Sequence, residues 1–450
     1  MLGNLRAFWE IVPATSCNFQ CLNCYASDNA RPDHRLLDWA KIKVALDKAI
    51  SLNIRHIEIL GGEPLTYKHL ERFIEYFKSR VKDGFCGVVS NGSLLTKERA
   101  RSLFDSGIDQ LTISLDGTRA EVNDANRGPG TFERILIGIE NAREVGIPLT
   151  IAYTITPFNT LDTPNLFPFA KKLGTKVLSI QITEMTGRAR KTLAHLSSWS
   201  WSEGLKAICR MYQHRPPVYT EVSTRSLFKE FLNHFFNAGL SLPDVRCGGG
   251  LETFMVSPGG DLYPCSNYAY FPDGKQRNRG VNLVSDDFYT IRKFVKHKYA
   301  GFNTEMRSLG TKKFTTCQNC KYATSCAPCP LANPPGVVPE CEWVKSQSKK
   351  LKKKILRSKS KLLVEPMASS DSEIRFLAPT QKSPLIIPMS EKRFRKLIAS
   401  KSVFQIVKMY KDETEDDKNV EDKVIEFLCK LRSHQVIKIE GLDTVQKTPC

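Results

Sequence analysis

The sequence predicts an α/β protein: a parallel sheet rolled into a partial (β/α)6 barrel, followed by a cysteine-rich extension and a small α+β unit. Three observations predict it. Residues 8–185 alternate six times between short apolar runs and amphipathic helical stretches, the pattern of a sheet whose parallel strands are joined by helical crossovers. Ten of the fourteen cysteines fall in two clusters, three between Cys17 and Cys24 and seven between Cys247 and Cys341. From about residue 371 the text returns to short extended runs followed by a helical face.

The strand candidates are 8–12, 56–60, 87–90, 110–115, 149–154 and 177–182. Helical stretches lie between them at 39–52, 67–81, 97–106, 132–145 and 163–173, several ending in Gly or Asn as helix stops do. In such folds the chemistry sits at the C-terminal ends of the strands. Residues 186–246 read as a helical, irregular bridge. The stretch 247–345 is rich in Gly, Pro and Cys with little periodicity, and needs a staple to hold it. A basic linker or helix, 346–370, precedes the last unit, 371–450. There 373–377 and 385–388 read as strands, 394–410 as helical and 436–439 as a closing strand. Val420, Val424, Phe427, Leu428 and Leu431 fall on one helix face.

The chain has 450 residues, of which 41% are hydrophobic, enough for two or three domains. No basic n-region leads into an apolar stretch at the start, and no apolar run reaches the length of a membrane span. The expectation is a soluble cytosolic protein that does not act in a membrane. The formal charge of +19 peaks in the lysine-rich run at 346–361. Such a surface suits nucleic acid, anionic lipid or an acidic peptide equally, and a solvated helix face or linker explains it without any partner. Charge therefore does not decide function, and a nucleic-acid role is not read from it.

A cytosolic chain with clustered thiols points to metal rather than to disulfides. "SCNFQCLNCYA" spaces Cys17, Cys21 and Cys24 as Cx3Cx2C just after the first strand. Three thiolates on a short loop can hold three irons of a [4Fe–4S] cubane and leave the fourth open to a substrate or cofactor. Structural zinc is the alternative, but it takes four ligands, and no fourth Cys or His lies nearby in sequence. In the second cluster, Cys317, Cys320, Cys326 and Cys329 alone could form a zinc knuckle, which leaves Cys247, Cys265 and Cys341 unexplained. The isolated Cys86, Cys209 and Cys429 read as small buried hydrophobes.

The first cluster resembles the hallmark of the radical S-adenosylmethionine (SAM) superfamily. The resemblance implies a cluster on Cys17, Cys21 and Cys24 that chelates SAM at its fourth iron. Reductive cleavage then gives a 5′-deoxyadenosyl radical that abstracts hydrogen from an unactivated carbon, and the protein orients and shields this chemistry. More motifs match at successive strand ends. "ILGGEPL" places Gly61, Gly62, Glu63 and Pro64 after the second strand; "VVSNG" places Ser90 and Asn91 after the third; "ISLDG" places Ser114 and Asp116 after the fourth; "NRGPGTF" supplies Arg127. The resemblance implies that all of these line the SAM site, with the GGEP loop at the amino group and Ser114 and Arg127 at the ribose or carboxylate. Asn23, with Tyr25 beside it, would meet the adenine; many members carry an aromatic residue where Asn23 stands.

The second cluster resembles the SPASM extension of that superfamily, Cx(9–15)Gx4C, a gap, Cx2Cx5Cx3C, a gap and a last Cys. Here the x3 is x2, between Cys326 and Cys329. The resemblance implies two auxiliary [4Fe–4S] clusters, three clusters in all. Cys317, Cys320, Cys326 and Cys341 would hold the distal one, and Cys247, Cys265 and Cys329 the inner one, for which no fourth cysteine stands out. The last unit resembles the small winged-helix domain that recognises precursor peptides in ribosomal peptide modification. Together these imply a peptide maturase with a leader-bearing precursor as substrate and a flavodoxin- or ferredoxin-type electron donor. A sulfatase-maturase-like enzyme or a small-molecule- or tetrapyrrole-modifying one is the rival, and an iron–sulfur electron carrier or basic nucleic-acid binder the non-enzymatic one. Glu184, Arg188 and Tyr153 lie near strand ends as further candidates. The catalytic acid or base, the bond formed and the oligomeric state are not legible.

Overall fold

The computed structural model describes residues 5–25, 36–175, 177–184, 187–193, 201–212, 219–223, 225–236, 238–241, 247–270, 280–323, 326, 329 and 338–356. Beyond these it describes 360–362, 368–369, 374–376, 385–387, 394–395, 403, 405–408, 420–433 and 437–439. The chain divides into two compact units. The first comprises Met1–Ala207, Pro216–Arg225 and Pro243–Val338, and the second Ile208–Arg215, Ser226–Leu242 and Pro339–Cys450.

The first unit is built on one ten-stranded sheet. Its strands are β1 (Leu5–Val12), β2 (Ile54–Gly61), β3 (Phe85–Ser90), β4 (Gln110–Ser114), β5 (Leu149–Ile155), β6 (Val177–Ile182), β7 (Tyr219–Val222), β8 (Thr253–Val256), β9 (Asp261–Tyr263) and β10 (Val281–Asn282). Their order is β10-β9-β8-β1-β2-β3-β4-β5-β6-β7, so among the described residues the sheet stays open. Strands β8 and β1 to β7 pair in parallel, and β9 runs antiparallel between β8 and β10. The crossovers carry α1 (Trp39–Ser51), α2 (Leu70–Arg80), α3 (Lys97–Asp105), α4 (Ala120–Arg127), α5 (Thr131–Val145) and α6 (Leu166–Lys172). Then come α7 (Ala189–Thr192) and α8 (Trp201–Tyr212), of which the residues from Ile208 on are counted with the second unit, as is all of α9 (Ser226–Phe236). The six-fold strand–helix alternation is the expected partial barrel.

Local chemistry sets these elements. Asp38 and Thr96 cap α1 and α3 by accepting the backbone N–H groups of Lys41 and Arg99, and Gly146, at φ 86°, stops α5. The core lies between sheet and helices. Trp9 of β1 is fully buried and meets Phe73 of α2 edge-on at 5.2 Å. Each such aromatic ring is worth roughly 1.5–3 kcal/mol of burial.

The structure adds elements where none were expected. Strand β7 arises inside the stretch read as a helical bridge. The cysteine-rich stretch supplies β8, β9 and β10, then α10 (Ser266–Tyr270), α11 (Phe288–Phe294), a π turn at Val295–Tyr299 and α12 (Ala300–Lys312). Strands of two to four residues show too few alternations to register as a period-2 pattern. Helix α4 was also not expected; its apolar content is too low for a clear face. The helix expected at 163–173 opens as a 3-10 turn, Thr163–Asn165, with Pro164 in its first turn.

In the second unit, α13 (Pro339–Leu356) takes up the start of the basic stretch. Strands β11 (Ser360–Leu362) and β15 (Ile437–Ile439) pair, and β12 (Ala368–Ser369), β13 (Ile374–Phe376) and β14 (Leu385–Ile387) form an antiparallel sheet. α14 (Val420–Ser433) buries Val420, Val424, Leu428 and Leu431 as expected; Phe427 is half-buried, and Ile425 and Cys429 complete the face. Most of the expected helical region 394–410 lies outside the described residues. Among the described residues no helix is long and apolar enough to cross a membrane.

Candidate active site

The loop that follows β1 carries Cys17, Cys21 and Cys24, all half-buried. Four other strand ends hold it. From the end of β2, Glu63 N–H donates to Ser16 O at 3.0 Å, and Gly62 N–H to Val12 O at 3.2 Å. A Cβ on Gly62 would sit 2.6 Å from Ser16 O, so only glycine allows this approach. From the end of β3, Asn91 Nδ2 donates to Asn18 Oδ1 at 2.8 Å, and Ser93 Oγ accepts from Asn18 Nδ2 at 2.9 Å. After β4, Asn126 accepts the N–H of Leu22 on its backbone oxygen at 2.9 Å and that of Asn23 on its Oδ1 at 3.2 Å. After β6, Arg188 donates from Nη1 to Cys21 O at 2.8 Å and from its backbone to Cys24 O at 2.9 Å, while Thr192 Oγ1 donates to Leu22 O at 2.6 Å. Gly187, at φ 53°, packs directly on the backbone of Cys24 and Tyr25.

The residues marked in sequence take different places. Gly61 and Gly62 lie against the cysteine loop, and Pro64 opens a 3-10 turn. Glu63 is 1% exposed: its carboxylate accepts from Leu65 N–H at 3.0 Å, Ser90 Oγ at 2.7 Å and Asn91 N–H at 2.8 Å. It therefore ties the ends of β2 and β3 together. Burial pushes its carboxyl pKa up against those donors. Ser114 is half-buried at the end of β4, and Tyr25 is exposed. Asp116 is completely buried, at 0% exposure, and lies behind the loop. Arg127 is buried too, with Nε 2.8 Å from Asp116 Oδ2 and Nη1 3.9 Å from Cys21 Sγ. Tyr153 packs in the core. Glu184 is exposed at the end of β6, yet the surrounding protein raises its carboxyl pKa, an effect that Arg225 opposes.

Sequence reading missed Asn18, Asn126, Gly187 and Thr192. Asn126 had a signal, since it sits beside Arg127 in the quoted "NRGPG". Gly187 and Thr192 had none, because their loop is near the cysteines only in space.

The thiols feel one another. Burial pushes Cys17 up to about 11; the Phe19 N–H opposes this, while Glu63, Cys21 and Cys24 add to it. Burial also raises Cys21, and Arg127 counters it. Three further thiols share a second neighbourhood: burial pushes Cys265 up to about 12, with Cys329 and Cys247 among the contributors. Here Asn267 Nδ2 lies 3.4 Å from Cys329 Sγ, and Asn303 Nδ2 donates to the carbonyls of Cys247 and Gly249 at 2.7 and 3.0 Å. Cys317 ends a 3-10 turn, Thr315–Cys317; Cys320 N–H bonds to Cys317 O, and Cys326 N–H to Tyr322 O. Cys341 is buried in α13, in the second unit. Cys86, Cys209 and Cys429 are fully buried, as expected of small hydrophobes.

Among the described residues no three Cys, His, Asp or Glu side chains converge tightly enough to share one metal ion. A cubane asks less of them, since each thiolate binds a separate iron. A three-thiol loop beside a glycine turn that admits close backbone approach fits a cluster with a ligand at its free iron.

The model of the radical SAM superfamily matches residues 11–167. That stretch is a radical SAM domain. Such a domain implies SAM and a [4Fe–4S] cluster as cofactors, and the matched span includes the cysteine loop and the first five strand ends. Among curated relatives, the AdoMet-dependent heme synthase of Methanosarcina barkeri is 26% identical over 334 residues, 71% of this chain and 89% of that protein. The mycofactocin maturase MftC of Mycolicibacterium smegmatis is 27% identical over 267 residues, 57% and 63%. Streptococcus suis SuiB, solved with its precursor peptide SuiA, superposes with a TM-score of 0.55 at 17% identity, covering 73% of this chain and 72% of that one. At that identity the likeness shows the fold alone.

Proposed function

We propose that this chain is a peptide-modifying radical SAM enzyme that carries two auxiliary clusters beside the SAM-binding one. The observation that carries this reading is the pair of thiol neighbourhoods in the first unit, one on the clasped loop after β1 and one at Cys247, Cys265 and Cys329. Cys17, Cys21 and Cys24 would hold the first cluster. Cys247, Cys265 and Cys329 would hold the inner auxiliary one, and Cys317, Cys320, Cys326 and Cys341 the distal one. When bound, cluster and SAM supply one-electron cleavage chemistry and a hydrogen-abstracting carbon radical.

The protein's own part is positional. The Gly61–Gly62 turn leaves room for SAM to approach the backbone. Glu63 fixes the ends of β2 and β3 and so the floor of the site. Ser114 is the half-buried strand-end hydroxyl open to a ribose or carboxylate. Glu184, with a raised pKa and Arg225 nearby, is the carboxylate suited to hold or accept a substrate proton. The peptide assignment rests on the second unit, where β12, β13 and β14 present an antiparallel sheet that an extended leader could join as a strand. The likeness to SuiB and to the maturase MftC supports it. Residues 371–450 are the proposed recognition module, and an acidic flavodoxin or ferredoxin suits the basic chain as electron donor.

A second reading is favoured by the heme synthase relative, of which this chain covers 89%: a porphyrin side chain would take the peptide's place. Reconstituted, reduced protein separates the two. We expect 5′-deoxyadenosine to form and a peptide encoded beside the gene to lose two hydrogens by mass. If only an iron porphyrin is altered, the peptide reading fails; if no 5′-deoxyadenosine appears with either, the catalytic reading fails. Deleting residues 371–450 is expected to weaken leader binding while the first-unit iron is kept.

A further inference from the structure

We infer that Asp116, marked in sequence as a SAM contact, is instead a positioning residue that places the cysteine loop and sets the charge beside Cys21. The inference rests on the proposed cluster at Cys17, Cys21 and Cys24.

Both carboxylate oxygens of Asp116 are committed inside the protein. Oδ1 accepts from Thr154 N–H at 2.9 Å. Oδ2 accepts from Asn126 Nδ2 at 2.7 Å and pairs with the Arg127 guanidinium, 2.8 Å from its Nε. The backbone joins in: Asp116 N–H donates to Asn123 Oδ1 at 3.1 Å, and Asp116 O accepts from Asn159 Nδ2 at 2.9 Å. With 0% exposure, no oxygen remains to meet a ligand.

The two partners of Asp116 reach the loop at three consecutive residues. Asn126 takes the N–H groups of Leu22 and Asn23, and Arg127 Nη1 lies 3.9 Å from Cys21 Sγ. One carboxylate thus fixes the ends of β4 and β5 and, through Asn126 and Arg127, the middle of the cysteine loop. The electrostatics follow from the same geometry. Asp116 and Arg127 neutralise each other in a buried, low-dielectric place. Removing either charge leaves the other unbalanced next to Cys21, where it acts on any electron added to the cluster. An unbalanced Arg127 favours the reduced cluster; an unbalanced Asp116 disfavours it.

The test is the reduction potential of the SAM-responsive cluster, read by EPR during redox titration of the anaerobically reconstituted full chain, for wild type, Asp116→Asn, Arg127→Gln and Arg127→Lys. Asp116→Asn is expected to raise the potential and Arg127→Gln to lower it, with Arg127→Lys close to wild type. If Asp116→Asn fails to fold, the contrast between Arg127→Gln and Arg127→Lys decides alone. Potentials that do not move, or that move in the same direction in both charge-removing variants, overturn the inference. A wild-type chain that assembles no SAM-responsive cluster takes down the underlying reading, and this inference with it; that result is distinct because it shows before any variant is compared.

Discussion

The two thiol neighbourhoods of the first unit are held in different ways. The loop with Cys17, Cys21 and Cys24 is clasped from the ends of β2, β3, β4 and β6, through backbone and side-chain bonds to Ser16, Asn18, Cys21, Leu22, Asn23 and Cys24. The group of Cys247, Cys265 and Cys329 is attached to a sheet edge by short strands; Asn303 donates to Cys247, Asn267 lies near Cys329, and the N–H groups of Tyr268 and Ala269 reach Cys265 from the next turn of chain. A parallel sheet brings its C-terminal strand ends together, so one short loop can be fixed by distant parts of the sequence at little cost in ordered chain. Among the described residues the sheet-edge extension draws on fewer strand ends. The first loop is therefore the more fully held by the fold, and the proposed metal would matter more to the second.

Glycine substitution breaks this contrast most sharply. In Gly62→Ala the new Cβ would overlap the carbonyl oxygens of Pro13 and Ser16, which are backbone and cannot turn aside. About 2 kcal/mol of overpacking is a loss of some 30-fold in the population of the holding geometry. We expect the SAM-responsive cluster to be lost while auxiliary iron stays. In Gly249→Ala the nearest atoms are Pro264 O at 3.1 Å and Cys265 Cβ at 3.3 Å, a fit that a few tenths of an ångström relieves. Iron analysis and EPR of the two variants check this, and equal losses would mean the glycine turn has no special hold on the first loop.

Side-chain clamps come next. Asn126→Ala removes the acceptor for Asn23 N–H and a donor to the buried Asp116, a loss of roughly 1–3 kcal/mol. Asn303→Ala strips the donor from two carbonyls and is expected to cost about 1 kcal/mol, since carbonyls tolerate an absent partner better than N–H groups do. Thermal melts should rank the two in that order, and iron loss should be confined to the first cluster in one variant and the inner auxiliary cluster in the other. Crossed losses would show that the two neighbourhoods are not independent.

What the sequence showed and what it hid divide along the same line. All six barrel strands were legible, because runs such as "HIEIL" and "LTIAYT" follow a period and are bounded by turns. The motifs at their ends were legible because glycine and cysteine spacing is local. The roles behind those motifs were less so. The motifs put Glu63 and Asp116 at the ligand site, and they do not tell that both carboxylates also bond the ends of neighbouring strands. Only burial separates a residue that touches a ligand from one that holds the residue that does. The short strands β7, β8, β9 and β10 were missed because their pairing partners, not their own pattern, make them strands.

The smallest expected effect sharpens the comparison through pH. Asp124 of α4 serves as the cap that Gly130 cannot be: it accepts from Gly130 N–H at 2.6 Å, Phe132 N–H at 2.8 Å and Thr131 Oγ1 at 2.8 Å, and so ties α5 to α4, which ends in Arg127. Burial works to raise its pKa, but these donors and Asn123 outweigh it and hold the carboxyl below its ordinary value. A depressed carboxyl stabilises the fold fully above the unfolded pKa, near pH 4, and loses that contribution as pH falls through the folded value. Asp124→Asn should therefore cost about 1 kcal/mol at neutral pH, toward the low end of cap effects because solvent screens it. The gap in Tm between wild type and variant should close on acidification below about pH 4. Asp287, capping α11 in the extension, is also held below its ordinary value, chiefly by Thr290, whose N–H and hydroxyl are its hydrogen-bond donors. Its Asn variant should follow the same pH profile with a smaller gap, because a cap that joins two helices beside the cysteine loop restrains more of the fold than one that ends a single helix at the sheet edge. An Asp287→Asn effect equal to or larger than that of Asp124→Asn would place the more tightly built region in the extension rather than the barrel.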